Sequence, residues 1–171
     1  MTGDSFEDTP VWQEAAQLYE LVEELLENAA FRARAGFRDQ LDRAALSVSN
    51  NIAEGFERGT TNELLYFLYV ARGSAGETRS MLRVKLRRIG DAALKAQMTK
   101  VIQCAISCSR QLRGWADSLQ NSEIAGQRHL NERSRHDYEQ KKRGQEFRKV
   151  LLRKLPPGHP LRKDAEERGV I

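Results

Sequence analysis

The residues of this sequence best suited to chemistry with another molecule are its arginines and lysines. One set is spaced along a single predicted helix, at Arg72, Arg79, Arg83 and Arg87. At about 100° per residue, the four side chains fall within roughly 80° of one another on one strip of that helix. A guanidinium group presents several donors in a planar fork that fits a phosphate, so the strip favours nucleic-acid binding. The alternatives are pairing with acids of a neighbouring helix and simple solvation.

Five more basic residues lie near the C-terminus, in two clusters: Lys141, Lys142, Arg143, Arg148 and Lys149. The second cluster belongs to residues 147–155, where apolar side chains recur at helical spacing, so this stretch is a candidate basic amphipathic helix. Such a helix can dock on RNA, on a partner protein, on the rest of its own chain or on an anionic membrane. Its apolar face is short, which favours nucleic acid or protein over a membrane.

The formal net charge of +4 is distributed unevenly along the chain. Residues 1–34 carry 8 acids against 2 bases, whereas residues 128–171 carry 13 bases against 7 acids. The sequence therefore predicts a polarised molecule with an acidic first helix. Its basic C-terminal end favours a polyanion or an acidic protein surface as the partner.

Polar residues that could support catalysis are sparse. Asn50, Asn51 and Glu54 lie together near the end of a predicted helix, but no nucleophile or histidine accompanies them. Asparagine side chains bond readily to nearby backbone, so tying the helix end or the following corner is the simpler role. The sequence also lacks a glycine-rich phosphate loop and a paired Ser-His or Cys-His motif. We therefore expect no catalytic residues and a protein that is not an enzyme.

Cysteines and histidines give no metal-binding pattern. Cys104 and Cys108 stand four residues apart on one face of a predicted helix, with no histidine nearby. Two ligands are too few for a metal site, so small buried apolar side chains are the simpler interpretation. His129, His136 and His159 lie near the C-terminus and are expected to be solvated. The sequence thus predicts no metal and no other cofactor.

The composition is that of an ordinary globular protein. With 171 residues, of which 40% are hydrophobic and 30% charged, the chain has room for one domain and an extension. No segment is long and apolar enough to cross a bilayer, and no signal peptide opens the sequence. These features and the expected reduced thiols favour the cytoplasm, with no membrane partner.

Four helices are predicted to position the residues named above, at about residues 10–28, 37–54, 61–89 and 91–119. Pro10 suits a first helical turn, and Asp91 suits an N-cap. Gly55 can adopt the left-handed conformation that ends a helix. Thr60 and Glu63 form a capping-box pattern, so the third helix begins there. The connection before it is short, which favours antiparallel neighbours.

Apolar spacing predicts the buried face of each helix. In the first helix the predicted inner stripe is Trp12, Ala15, Ala16, Tyr19, Val22 and Leu26. The third helix has an inner stripe that includes Leu64, Leu68 and Leu82, and a second apolar zone roughly opposite to it. The second zone consists of Tyr66, Phe67, Val70, Met81 and Val84. A helix that is apolar on both sides is normally buried on both, so this zone predicts a subunit interface. Cover by the C-terminal extension of the same chain is the alternative.

The corner between the second and third helices also carries a specific motif. Residues 49–55 read Ser-Asn-Asn-Ile-Ala-Glu-Gly, and they are followed by Thr61, Glu63, Phe67, Leu68, residues 71–74 (Ala-Arg-Gly-Ser) and Glu77. This pattern resembles the small four-helix-bundle proteins encoded in intervening sequences of bacterial large-subunit rRNA genes. The accessory variability proteins of diversity-generating retroelements share it. The resemblance covers roughly residues 10–120.

The resemblance implies an all-α fold in which residues 10–120 form an up-and-down antiparallel four-helix bundle. Residues 121–171 lie beyond the pattern and are expected to be a basic C-terminal extension, partly helical or disordered. The related accessory variability proteins assemble as five-membered rings, which implies a homo-oligomer, a pentamer, with a reverse transcriptase or another protein as partner.

Together with the arginine strip, this leads to one functional hypothesis and one alternative. The hypothesis is a non-enzymatic oligomeric accessory protein that binds RNA or DNA through a basic surface. The alternative is a structural scaffold or protein-interaction module that does not bind nucleic acid.

Overall fold

A computed structural model of the protein describes residues 5–121 and 132–169. All regular structure in these ranges is helical, which confirms the all-α class. After a 3-10 turn at Phe6–Asp8, the helices are α1 (Pro10–Glu27), α2 (Ala35–Glu57), α3 (Thr61–Leu86), α4 (Ala92–Gln120), α5 (Glu132–Lys154) and α6 (Pro160–Glu167). The chain divides into two compact units, Met1–Arg128 and His129–Ile171. None of the helices in the described ranges combines the length and the hydropathy needed to cross a membrane.

The first unit is built from α1 to α4 around one apolar core. Helix α1 contacts α2 and α4, and α3 contacts the same two helices, so each helix has two neighbours. Every helix places large side chains in the core that are fully buried, for example Leu18, Leu41, Leu68 and Met98. Burial of such side chains removes apolar surface from water and is the main favourable contribution to this fold.

The predicted start signals of α1, α3 and α4 are confirmed. Pro10 occupies the first turn of α1, where its missing N–H has no helical partner to lose. At α3, the Glu63 amide donates to Thr60 Oγ1 (3.2 Å) and the Thr60 hydroxyl donates to Glu63 Oε2 (2.7 Å). At α4, Asp91 accepts a hydrogen bond from the Leu94 amide (2.9 Å).

The predicted inner face of α1 is wrong by about a quarter of a turn. The buried residues are Val11, Ala15, Leu18, Leu21, Val22 and Leu25. The predicted Trp12 and Tyr19 are half-buried at the margin of the core. The Tyr19 hydroxyl donates to Asp42 Oδ1 (3.2 Å) on α2. An aliphatic side chain has no polar atom that needs such a partner and can be buried completely.

Gly55 does not end α2, contrary to the prediction from sequence. Helix α2 continues to Glu57, and among the described residues only Gly169 has a positive φ. Gly55 is buried, and a Cβ at this position would lie 2.7 Å from Phe67 Cβ and 3.4 Å from Leu64 Cα. The glycine therefore permits the close approach of α2 and α3, a role that depends on the absence of a side chain.

The second unit contains α5 and α6, which contact each other. Residues 155–159 separate the two helices, and His159 Nδ1 accepts from the Leu161 amide at the start of α6. Arg162 then donates to the carbonyl oxygen of Leu155 (2.9 Å). This bond satisfies a backbone acceptor at the end of α5, where no helical partner remains.

Candidate nucleic-acid interface

Helix α3 presents the predicted arginine strip, defined here as Arg72, Arg79, Arg83 and Arg87. Arg83 and Arg87 are exposed, whereas Arg72 and Arg79 are half-buried. Their α3 neighbours Leu64, Leu68 and Leu82 are fully buried in the core, so the strip flanks the buried face of the helix. Four guanidinium groups are thus available on one side of the helix over about four turns.

The arginine strip is not neutralised within the described part of the first unit. No described carboxylate forms a salt bridge with any of the four arginines. The acid of α3 closest in sequence, Glu77, instead accepts a hydrogen bond from Gln40 on α2 (2.6 Å). The described side chains therefore do not support the alternative of pairing with a neighbouring helix. Unpaired guanidinium groups of this kind can donate to phosphate oxygens.

The surroundings of the strip add polar and cationic groups. Arg83, Val84, Leu86 and Arg87 line a surface depression of about 410 Å³. At the other end of α3, Gln120 of α4 donates to the Tyr69 hydroxyl (2.9 Å). Arg113 lies seven residues before Gln120 and so shares that face of α4, where its Nε lies 3.5 Å from Asp117 Oδ2. Among the described residues, Arg113 therefore has an acidic partner, unlike the four arginines of the strip.

Lys85 has a structural role, although it lies between two arginines of the strip in the sequence. Its Nζ donates to the backbone carbonyl of Arg32 (2.5 Å) and lies 6.0 Å and 5.9 Å from the ring centroids of Phe31 and Phe37. This ammonium group is thus held against the α1–α2 connection.

The predicted C-terminal basic residues belong to α5 in the second unit. Arg143 and Arg148 are exposed, and Lys149 is half-buried with its Nζ 3.8 Å from Glu146 Oε1. Lys141 and Lys142 lie in the same helix, but their side chains lie outside what the structure describes. Arg143 and Arg148 are therefore the members of this set whose exposure is established.

The predicted subunit interface separates into two parts. Tyr66 and Val84 are each 63% exposed. Phe67, Val70 and Met81 are half-buried; Phe67 lies against Gly55, and Met81 packs against the core. Part of the second apolar zone is therefore covered within the first unit, an arrangement that neither sequence-based alternative included. The remaining apolar surface is concentrated at Tyr66 and Val84.

The motif at the end of α2 is occupied by internal hydrogen bonds. Asn51 Nδ2 donates to the carbonyl oxygen of Ser47 (2.6 Å) and to Ser47 Oγ (2.8 Å). Ser47 Oγ in turn lies 3.0 Å from Ser74 Oγ on α3. Asn51 thus binds backbone, as predicted, although it binds one turn back in α2 and not at the helix end.

Ionic contacts close the α2–α3 corner, where Glu54 pairs with an arginine. Arg58 contacts Glu54 Oε1 (2.7 Å) and Glu63 Oε1 (3.5 Å), and its guanidinium lies 5.1 Å from the Phe67 ring centroid. The hydrogen bond from Thr60, followed by that from Arg58, lowers the pKa of the Glu63 carboxyl below its ordinary value. These contacts account for Glu54 and Glu63 as structural residues.

One cluster was missed by the analysis of the sequence. Cys104 Sγ lies 3.5 Å from the carbonyl oxygen of Glu14 and 3.6 Å from Glu14 Oε1, across the contact between α4 and α1. Cys108 is fully buried beside it, and the hydrogen bond with Cys104 together with burial raises the pKa of the Cys108 thiol. Glu14 is 90 residues away from Cys104 in the sequence, so no local spacing could indicate the cluster.

The fold and this surface define an all-helical protein with an arginine strip on one helix, exposed at Arg83 and Arg87. Residues 7–114 match the sequence model of the family described as 23S rRNA-intervening sequence protein, and the chain belongs to this family. The match confirms that part of the resemblance stated from the α2–α3 motif. A comparison with curated proteins finds no match to this chain.

Proposed function

We propose that this protein is a non-enzymatic, oligomeric accessory protein that binds RNA or DNA through the arginine strip of α3. The observation that carries the proposal is that Arg83 and Arg87 are exposed and have no described carboxylate partner. Phosphate contacts by such side chains release counterions from the nucleic acid, so binding is largely independent of sequence and weakens with salt. Arg143 and Arg148 extend the same chemistry to the second unit.

The architecture that goes with this function is an up-and-down antiparallel four-helix bundle over residues 10–120, followed by a basic extension. Its support is the contact pattern, in which each of α1 to α4 touches the helices next to it in sequence and α1 also touches α4. Short connections, such as the three residues between α2 and α3, favour antiparallel neighbours.

In this proposal the oligomer forms through the second apolar zone of α3, with Tyr66 and Val84 contributing the most exposed surface. The resemblance to accessory variability proteins motivates a ring of five copies in the cytoplasm and a reverse transcriptase as a partner. A ring repeats the arginine strip, so that individually weak phosphate contacts act together. Sedimentation of the full-length chain at micromolar concentration tests the assembly, and a stable single copy contradicts it.

The binding test is a salt series with single-stranded RNA and DNA, comparing wild type with the double variant Arg83→Ala, Arg87→Ala. The charge-matched control is Arg34→Ala with Lys100→Ala, since both residues are exposed and lie outside the strip. Loss of two phosphate contacts should flatten the slope of log affinity against log salt by roughly 1.4 to 1.8. The slope of the control variant should change markedly less. Absence of binding to RNA and DNA at low salt contradicts the proposal.

A second candidate function is supported by the apolar face of α5. Phe147 is 66% exposed, and Val150 and Leu151 on the same helix are also exposed, beside the exposed Arg148. Such a helix suits docking on an acidic protein partner, as a scaffold or interaction module would require. A pull-down with the full-length chain distinguishes the two functions, because a protein partner is retained after nuclease treatment whereas one bridged by nucleic acid is lost.

A further inference from the structure

A cluster that the proposed function does not use lies between α1 and α4. One ligand-type atom from each of Glu14, Cys104 and Cys108 lies within 4.8 Å of the other two. Both cysteines are buried and free, and Glu14 is half-buried. Two thiols and a carboxylate thus converge from two different helices at the edge of the core.

Both ligand types, thiolate sulfur and carboxylate oxygen, are among those that bind zinc in proteins. Structural and catalytic zinc ions are bound by cysteine sulfur at about 2.3 Å and by carboxylate oxygen at about 2.0–2.2 Å. At tetrahedral angles, such bonds place ligand atoms roughly 3.5–3.8 Å apart. The 3.6 Å between Cys104 Sγ and Glu14 Oε1 already meets this spacing. The remaining separations have to shorten by at most about 1 Å, which side-chain rotation of Glu14 and the cysteines can supply.

The carboxylate of Glu14 is held in position from its other side. Gln111 Nε2 lies 3.4 Å from Glu14 Oε2 and 3.4 Å from Ser107 Oγ. One carboxylate oxygen therefore faces the sulfur while the other is fixed by an amide, which is how outer-shell residues orient metal ligands. The same region is open to solvent, because Glu14 and Gln111 line a surface groove of about 600 Å³ between α1 and α4.

The interpretation of the cysteines as small apolar side chains accounts for Cys108 only. It does not explain why a carboxylate lies against the sulfur of Cys104 when solvent is available to it on the surface of α1. We propose that Glu14, Cys104 and Cys108 bind one Zn²⁺ ion, with water as the fourth ligand. On binding, two S–H bonds are replaced by two S–Zn bonds and two protons pass to solvent. The ion ties the first helix to the fourth.

The experiment uses the full-length protein, reduced and free of metal. Zn²⁺ is titrated in competition with a chromogenic chelator, and Cd²⁺ serves as a spectroscopic probe because thiolate ligation gives an ultraviolet charge-transfer band. We expect one ion per chain, a cadmium band, and a rise in Tm when Zn²⁺ is added. Absence of the band, or binding without a defined stoichiometry, overturns the proposal.

Variants assign the ligands. Cys104→Ser and Cys108→Ala should each abolish most of the cadmium band, and Gln111→Ala should weaken Zn²⁺ binding by roughly 10–100-fold while the band remains. Glu14→Gln should weaken it more, whereas Glu24→Gln, an exposed acid on the same helix, should have no effect. Cys104 lies at the edge of the core, so its serine variant remains informative if the Cys108 variant fails to fold. A Cys104→Ser protein that binds Cd²⁺ with the wild-type band contradicts the site.

Discussion

The α2–α3 corner and the arginine strip of α3 differ in how many of their polar side chains have partners within the described protein. At the corner, Asn51, Glu54 and Glu63 all have partners within the protein. On the strip, Arg83 and Arg87 are exposed and no described acid pairs with them. The motif residues Asn51, Glu54 and Glu63 therefore build the fold, whereas Arg83 and Arg87, which are available to a ligand, lie outside the motif. A motif that is internally satisfied indicates architecture more directly than it indicates activity.

The largest effect on folding should come from filling the close contact at the corner. Gly55→Ala places a Cβ 2.7 Å from Phe67 Cβ, an atom that cannot move without its backbone. We expect the free energy of unfolding to fall by about 1–3 kcal/mol, as in other overpacked interiors. Denaturant unfolding monitored by circular dichroism measures the change.

The matched control for that variant is Gly114→Ala in α4. Nothing lies within 4 Å of a Cβ at this exposed helical position. Alanine has the higher helix propensity, so the control should be more stable by roughly 0.5–1 kcal/mol. Equal destabilisation of both variants would mean that Gly55 is not a contact residue.

The next largest effect on stability should come from loss of the N-cap of α3. Thr60→Ala removes the acceptor of the Glu63 amide and the donor to its carboxylate. Removal of such a cap typically costs about 1 kcal/mol of stability, which a shift of the thermal midpoint reports. Thr99→Ala is the comparison, because that exposed hydroxyl of α4 donates only to the Lys95 carbonyl within the helix. An equal shift in the two variants would contradict the capping role.

The same corner should give a pH dependence. Because the pKa of Glu63 is lowered in the folded state, its contribution to stability is present above the unfolded value of about 4.3 and is lost as pH falls through the folded pKa. Glu63→Gln should therefore reduce the fall in stability between about pH 5 and pH 3. The thermal midpoint of wild type and variant across this range measures the difference, and parallel curves would exclude Glu63 as the source.

Local features of the fold could be predicted from the sequence because their causes are local. Pro10, Thr60 and Asp91 mark helix starts through bonds to residues within one turn, and the arginine strip follows from helical spacing alone. The role of Gly55 depends on where α3 lies, and local spacing contains no such information. The same holds for Glu14, whose partner Cys104 is 90 residues away.

The buried faces of the helices were harder to predict than the helix ends, for a related reason. Helix α1 has apolar side chains on more than half of its circumference, so spacing alone does not separate the centre of the buried face from its margin. A polar atom accounts for one residue of the margin, since the Tyr19 hydroxyl donates to Asp42 Oδ1. Phe31, in the connection after α1, is almost fully buried although it belongs to no periodic stripe.

The smallest expected effect on folding belongs to the strip itself, and it sharpens the comparison most. Arg83→Ala with Arg87→Ala removes two exposed side chains that have no described partners, so the free energy of unfolding should change by less than about 0.5 kcal/mol for each. Affinity for RNA or DNA should nevertheless fall, because these guanidinium groups are available to phosphates. Two variants then separate the two regions: Gly55→Ala lowers stability, and the double arginine variant lowers binding alone. If the double variant unfolds as readily as Gly55→Ala, the strip is part of the structural framework and cannot be assigned to a ligand.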